Sequence, residues 1–119
     1  ARLAPGDVHL WTLPMFHCNG WCFTWAVTAA GATHLCLPRV DAATIWTHLR
    51  EDGVTCLNAA PTVLTMLAWD ASADLGPAPT RVRIGTGGAP PSPTLLERLA
   101  ELPGEGVLIE IPEPVPSII

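Results

Sequence analysis

Apolar residues fall along this chain in two alternating kinds of run. Short continuous runs, Val8 to Leu13, Thr33 to Leu37, Val54 to Asn58, Val82 to Thr86 and Val107 to Ile111, predict strands. Longer stretches with helical signals lie between them. Asn19 to Ala30 is apolar, with Asn19 placed to cap its start and Gly31 to end it. Asp41 precedes Ala42, Ile45, Trp46 and Leu49, apolar positions at helical spacing that Gly53 closes. Pro61 stands at the first-turn position of a helix running to Trp69. Asp70 to Thr80 carries Gly and Pro and reads as a loop. Ser92 and Pro93 open a fourth helix with Leu95, Leu96, Leu99 and Leu102 on one face. Beyond the last strand, Pro112, Pro114 and Pro116 forbid regular structure.

Strand and helix therefore alternate about four times. Strands that are apolar throughout belong to parallel sheets covered on both faces. The expected fold class is α/β: an open, mostly parallel, doubly wound sheet with flanking helices, forming an incomplete part of a larger domain. Ligands of such sheets bind outside the carboxyl ends of the strands. Three loops of unusual composition fall there: Pro14 to Gly20, Asn58 to Pro61 and Gly85 to Pro91.

Composition narrows the function classes. The 119 residues suit one domain or a piece of one. Low charge, 14%, with 49% hydrophobic residues argues against intrinsic disorder. The net charge of −5, with all basic charge from six Arg, gives no footprint for nucleic acid or an anionic membrane. There is no Lys and no Tyr, so a mechanism needing a lysine ammonium is excluded for this chain alone. Residues 61–119 set three Arg against seven acids, and nine of the 13 Pro lie from Pro77 onward. The two ends of the sequence thus differ in character.

No formal charge occurs between Asp7 and Arg39. The run is broken by Pro14, Asn19, Gly20 and Gly31, so two buried strands flanking a buried helix explain it better than a membrane span. No signal peptide is recognisable, and a reduced cytoplasmic setting is expected.

Candidate chemistry is sparse. His17, Cys18 and Cys22 offer one C-x3-C pair, short of the paired spacing of a zinc site. Cys36 and Cys56 are expected as small apolar groups in buried strands. A His17–Cys18 nucleophilic pair lacks a third orienting group. Neither a metal site nor a catalytic residue is therefore assigned. Gly85-Thr86-Gly87-Gly88 is neither a dinucleotide fingerprint nor a Walker loop. It reads equally as a tight turn or as backbone approaching a flat ligand. Trp21, Trp25 and Trp46 read as core, and His34 and His48 as structural or solvated groups without evident partners.

Leu13-Pro14-Met15-Phe16-His17-Cys18-Asn19-Gly20-Trp21 resembles the LPxFHxxG segment of adenylate-forming enzymes. Asn58-Ala59-Ala60-Pro61-Thr62 is similar to that family's xxPT turn, and Gly87-Gly88-Ala89-Pro90-Pro91 to its GGAPL/P element. Their order and separations also fit, and the wording around His17 is most similar to short- and medium-chain fatty-acid or aromatic-acid–CoA ligases. The resemblance implies a carboxylic acid activated by Mg·ATP to an acyl-adenylate, followed by transfer to coenzyme A. It places Phe16, His17, Gly20 and Trp21 at the acyl pocket, and Gly87, Gly88, Ala89 and Pro90 along the nucleotide. These are binding roles.

The departures are as informative. The family's Lys-bearing phosphate loop and its Tyr-Gly-x-Thr-Glu element have no counterpart here. The place of the latter reads Ile109-Glu110-Ile111-Pro112-Glu113, and neither Glu110 nor Glu113 is assigned to Mg²⁺. Residues 1–104 are thus expected as part of an AMP-binding N-terminal domain, inactive alone, with a divergent Pro-rich acidic tail over 105–119. Open sheet edges predict self-association. The alternatives are a non-catalytic α/β module binding nucleotide or a partner protein, and a truncated gene remnant.

Overall fold

A computed structural model describes residues 2–75, 81–86, 91–101 and 107–110, with backbone alone at 18–19, 74–75 and 107–110. Its order is β1 (Val8–Trp11), α1 (Cys18–Ala29), β2 (Thr33–Cys36), α2 (Ala42–Glu51), β3 (Cys56–Asn58), α3 (Pro61–Trp69), a 3₁₀ turn (Ala71–Leu75), β4 (Val82–Gly85), α4 (Pro93–Glu101) and β5 (Val107–Glu110). The strands form one five-stranded sheet in the order β2-β1-β3-β4-β5, and every pairing is parallel. The α/β doubly wound expectation is met. Chain order reverses between β1 and β3, which opens the crevice used by ligands of such sheets.

Alternation along the strands divides the two faces. Leu10, Leu57, Val82 and Ile84 pack with Ala42, Ile45, Trp46, Leu49, Leu64, Leu67, Leu95 and Leu99 of α2, α3 and α4 in one buried core. His9 and Trp11 face α1 instead. His9 stacks on Phe23 at 5.2 Å between ring centres and meets Trp11 edge-on at 4.9 Å.

Local signals explain most boundaries. Asp41 caps α2 by accepting the Thr44 amide at 3.3 Å and its hydroxyl at 2.6 Å. Ser92 caps α4 through its Oγ and the Leu95 amide. Gly31 and Gly53 leave their helices at φ of +69° and +65°, where a side chain would be strained.

Several expectations change. Asn19 does not cap α1: the helix begins at Cys18, and the His17 carbonyl accepts the amides of Gly20 and Trp21. The expected loop after Asp70 contains the 3₁₀ turn, started by the Asp70 carboxylate accepting the Ser72 amide. Cys36 is exposed, because β2 is an edge strand, whereas Cys56 is buried as expected. Trp21 and Trp25 are 58% and 67% exposed and do not form core, because α1 buries only its sheet-facing side. Leu102, the glycines closing α4 and all but the Val107–Glu110 strand of the tail lie outside the described residues.

Candidate functional site at the carboxyl edge of the sheet

The ends of β1, β3 and β4 come together beside the switch point. The Thr12 hydroxyl donates to the Asn58 carbonyl at 2.6 Å, which ties the end of β1 to the end of β3. The Ala59 amide donates to the Gly85 carbonyl at 2.9 Å, which ties β3 to β4. Asn58 and Gly85 are register partners, and the Asn58 side chain fills the space a Gly85 side chain would need. Gly85 therefore answers to a neighbouring side chain. Its close approach is a packing requirement of this crevice.

The segment after β1 folds back onto α1. The His17 amide donates to the Pro14 carbonyl at 3.0 Å, making a tight turn that runs into the helix. At Gly20 a β-carbon would stand 2.7 Å from the Pro14 carbonyl oxygen and 3.3 Å from the Trp11 ring. Only glycine lets the first turn of α1 sit this close to the turn. Of the four expected acyl-pocket residues, Gly20 is buried, while Phe16, His17 and Trp21 are exposed around the start of α1.

The other expected set, Gly87, Gly88, Ala89 and Pro90, lies outside the described residues. The residue before them is informative. Thr86 is buried, and its hydroxyl has no hydrogen-bond partner among the described residues. An unsatisfied buried hydroxyl costs about 1–3 kcal/mol, so a group that pairs with it gains by binding there. The sequence reading placed Thr86 and Asn58 in two of the three loops at the carboxyl edge but assigned neither to the site. The signal available was their position at the carboxyl ends of β3 and β4.

Beneath α1 lies a polar chain that no sequence pattern marks. The Trp11 indole donates to His34 Nδ1 at 2.9 Å, and His34 Nε2 meets the Thr28 hydroxyl at 2.8 Å. That hydroxyl donates to the Thr24 carbonyl, so it accepts from Nε2, which fixes the proton there. His34 thus has partners, contrary to expectation. So does His48, which pairs with Asp52 at 2.5 Å one turn along α2. His9 carries the strongest perturbation: burial, then the neighbouring His34, lower it to about 4, and its Nδ1 is unpaired among the described residues.

Among the described residues no three His, Cys, Asp or Glu groups could hold a metal ion. No described helix is long and apolar enough to cross a membrane.

The family described as AMP-binding enzyme matches residues 1–111. The chain belongs to this family. It is 47% identical over 95 residues to a probable CoA ligase of Humulus lupulus, CCL11, covering 80% of this chain and 16% of the relative. It is 43% identical over 95 residues to the peroxisomal benzoate–CoA ligase of Arabidopsis thaliana, again over 80% and 16%. The N-terminal domain of FACL13 from Mycobacterium tuberculosis superposes with a TM-score of 0.79 at 28% identity, over 95% of this chain and 29% of that one. The chain therefore spans about one-sixth of the length of these curated relatives.

Proposed function

We propose that this chain forms the acyl-pocket and adenine-loop portion of an acid–CoA ligase. In that reaction a carboxylate attacks the α-phosphate of ATP to give an acyl-adenylate, and the thiol of coenzyme A then displaces AMP. The observation that carries this reading is the convergence of the ends of β1, β3 and β4 at one crevice, through Thr12–Asn58, Ala59–Gly85 and the Pro14 turn against Gly20. The segments that resemble the family's acyl and nucleotide elements follow these strand ends in the sequence.

In this reading Gly20 admits the helix start to the crevice, while Phe16, His17 and Trp21 provide the acyl side of the pocket. Gly87, Gly88, Ala89 and Pro90 continue from Thr86 along the nucleotide. Residues 1–104 make up the domain portion, and within the divergent acidic tail of 105–119 Val107–Glu110 adds β5 to its sheet. We further assign a fatty-acid or aromatic-acid substrate and a cytoplasmic setting, although the benzoate–CoA ligase relative is named as peroxisomal.

What the chain supplies is shape. Charge on the phosphates in the transition state needs cations, usually a Lys and Mg²⁺. The sequence has no Lys. The described residues do not fit a Mg²⁺ site, so no step is assigned through one. Alone, the chain binds and does not adenylate. Carboxylate-dependent exchange of pyrophosphate into ATP, measured on the purified chain with butyrate and with benzoate, is expected at the blank rate. Exchange above that rate overturns the reading.

A further inference from the structure

The loops leaving β1 and β2 border a second, open groove, of about 380 Å³, lined by residues 11–15 and 36–40. That volume falls within the roughly 300–1,000 Å³ of small-molecule sites. The groove lies outside the carboxyl ends of two adjacent parallel strands. None of Phe16, His17, Gly20, Trp21 or the Asn58–Pro61 turn lines it.

Its chemistry is specific. Trp11 forms a rigid wall, buried and held through its indole N–H by His34. Leu13, Met15 and Val40 add apolar surface, and Met15 and Val40 remain more than 40% exposed with nothing described covering them. Arg39 is the one charged lining residue. It is exposed and makes no ion pair among the described residues. The Asp41 carboxylate, two residues on, feels the Arg39 charge but is hydrogen-bonded to Thr44 at the start of α2. A guanidinium beside an apolar trough matches a carboxylate on an apolar body, since its planar fork pairs with both carboxylate oxygens.

We propose that this groove binds an amphipathic monocarboxylate, its chain against Trp11, Leu13 and Met15 and its head on Arg39. The groove shares Thr12 and Pro14 with the crevice proposed above, but its ligand contacts, Trp11, Leu13, Met15 and Arg39, are not the acyl-pocket residues named there. Cys36 lines the groove and Cys22, on α1, does not, although both thiols are exposed. A bound ligand covers Cys36 alone.

The test is competitive alkylation of the whole chain with N-ethylmaleimide, each cysteine followed by peptide mass mapping, with sodium octanoate as the probe. At four times its dissociation constant, octanoate slows Cys36 labelling about five-fold and leaves Cys22 unchanged. Octan-1-ol at the same concentration gives no protection. Arg39→Gln abolishes the octanoate effect with an unchanged circular dichroism spectrum, and Arg39→Lys, which keeps the charge, retains part of it. Equal slowing at Cys22, equal protection by the alcohol, or protection that survives Arg39→Gln each overturns the proposal. So does a Cys36 rate that octanoate does not alter.

Discussion

Asn58 and Gly85 face each other across β3 and β4, and a β-carbon on Gly85 would overlap the Asn58 amide oxygen and stand 3.3 Å from its Cγ. The amide fills the notch that glycine leaves. This pair joins two of the loops that build the crevice, so its energetics report directly on the site.

Gly85→Ala is expected to destabilise the chain by about 1–3 kcal/mol, because overpacking forces strand or side chain to shift. Asn58→Ala removes the opposing group. In the double variant the loss is smaller than the sum of the single losses by about 0.5–3 kcal/mol. Urea unfolding midpoints of the four proteins measure this, and strictly additive values would show that the two residues do not meet.

A second prediction concerns acid. His9 is lowered from 6.5 to about 4 by burial and by His34, so the folded state resists its protonation. Between those values the unfolded chain binds more protons, so stability falls as pH drops from 6.5 towards 4. The full span amounts to roughly 3 kcal/mol. Asp7 does not obscure this window. Burial raises it, but the Thr55 hydroxyl, the Ala4 amide and Arg83 together hold it below 3.8, so its contribution is lost only at lower pH. His9→Leu is expected to flatten the slope between pH 7 and 5 in thermal unfolding. An unchanged slope would remove His9 from the account.

Much of this arrangement was legible beforehand, and the reasons are local. Ala42, Ile45, Trp46 and Leu49 follow one helical stripe, and all four are buried. Pro61, Gly31 and Gly53 act through backbone conformations that neighbours cannot override. The three crevice loops were visible because turn residues and strand ends carry position in the sequence. Trp21, Trp25 and Cys36 were not legible. Hydrophobic character says that a side chain favours burial, but not whether a layer is present to cover it. The Trp11–His34–Thr28 chain was hidden for another reason: its members lie on β1, β2 and α1, and only parallel pairing brings them together.

The outer side of α1 leads to a third prediction. Phe16, Trp21 and Trp25 are 84%, 58% and 67% exposed around one helix that lacks any charge. Contiguous apolar surface of this kind drives association. The chain is expected to self-associate in sedimentation velocity at micromolar concentration. Trp21→Gln with Trp25→Arg shifts it towards monomer without lowering the unfolding midpoint, since neither indole is packed. Sedimentation unaffected by the double change would place association elsewhere.

Central to the proposed function is a ligase pocket shaped by this chain, with the cations of phosphate chemistry supplied from outside it. The direct test is a chimera in which this chain's matched stretch replaces the corresponding 95 residues of the Arabidopsis thaliana benzoate–CoA ligase. The account predicts a folded chimera that retains carboxylate-dependent pyrophosphate exchange, in which His17→Ala raises the acid KM more than it lowers kcat. A folded chimera without exchange, or one whose acid KM ignores His17, would contradict it.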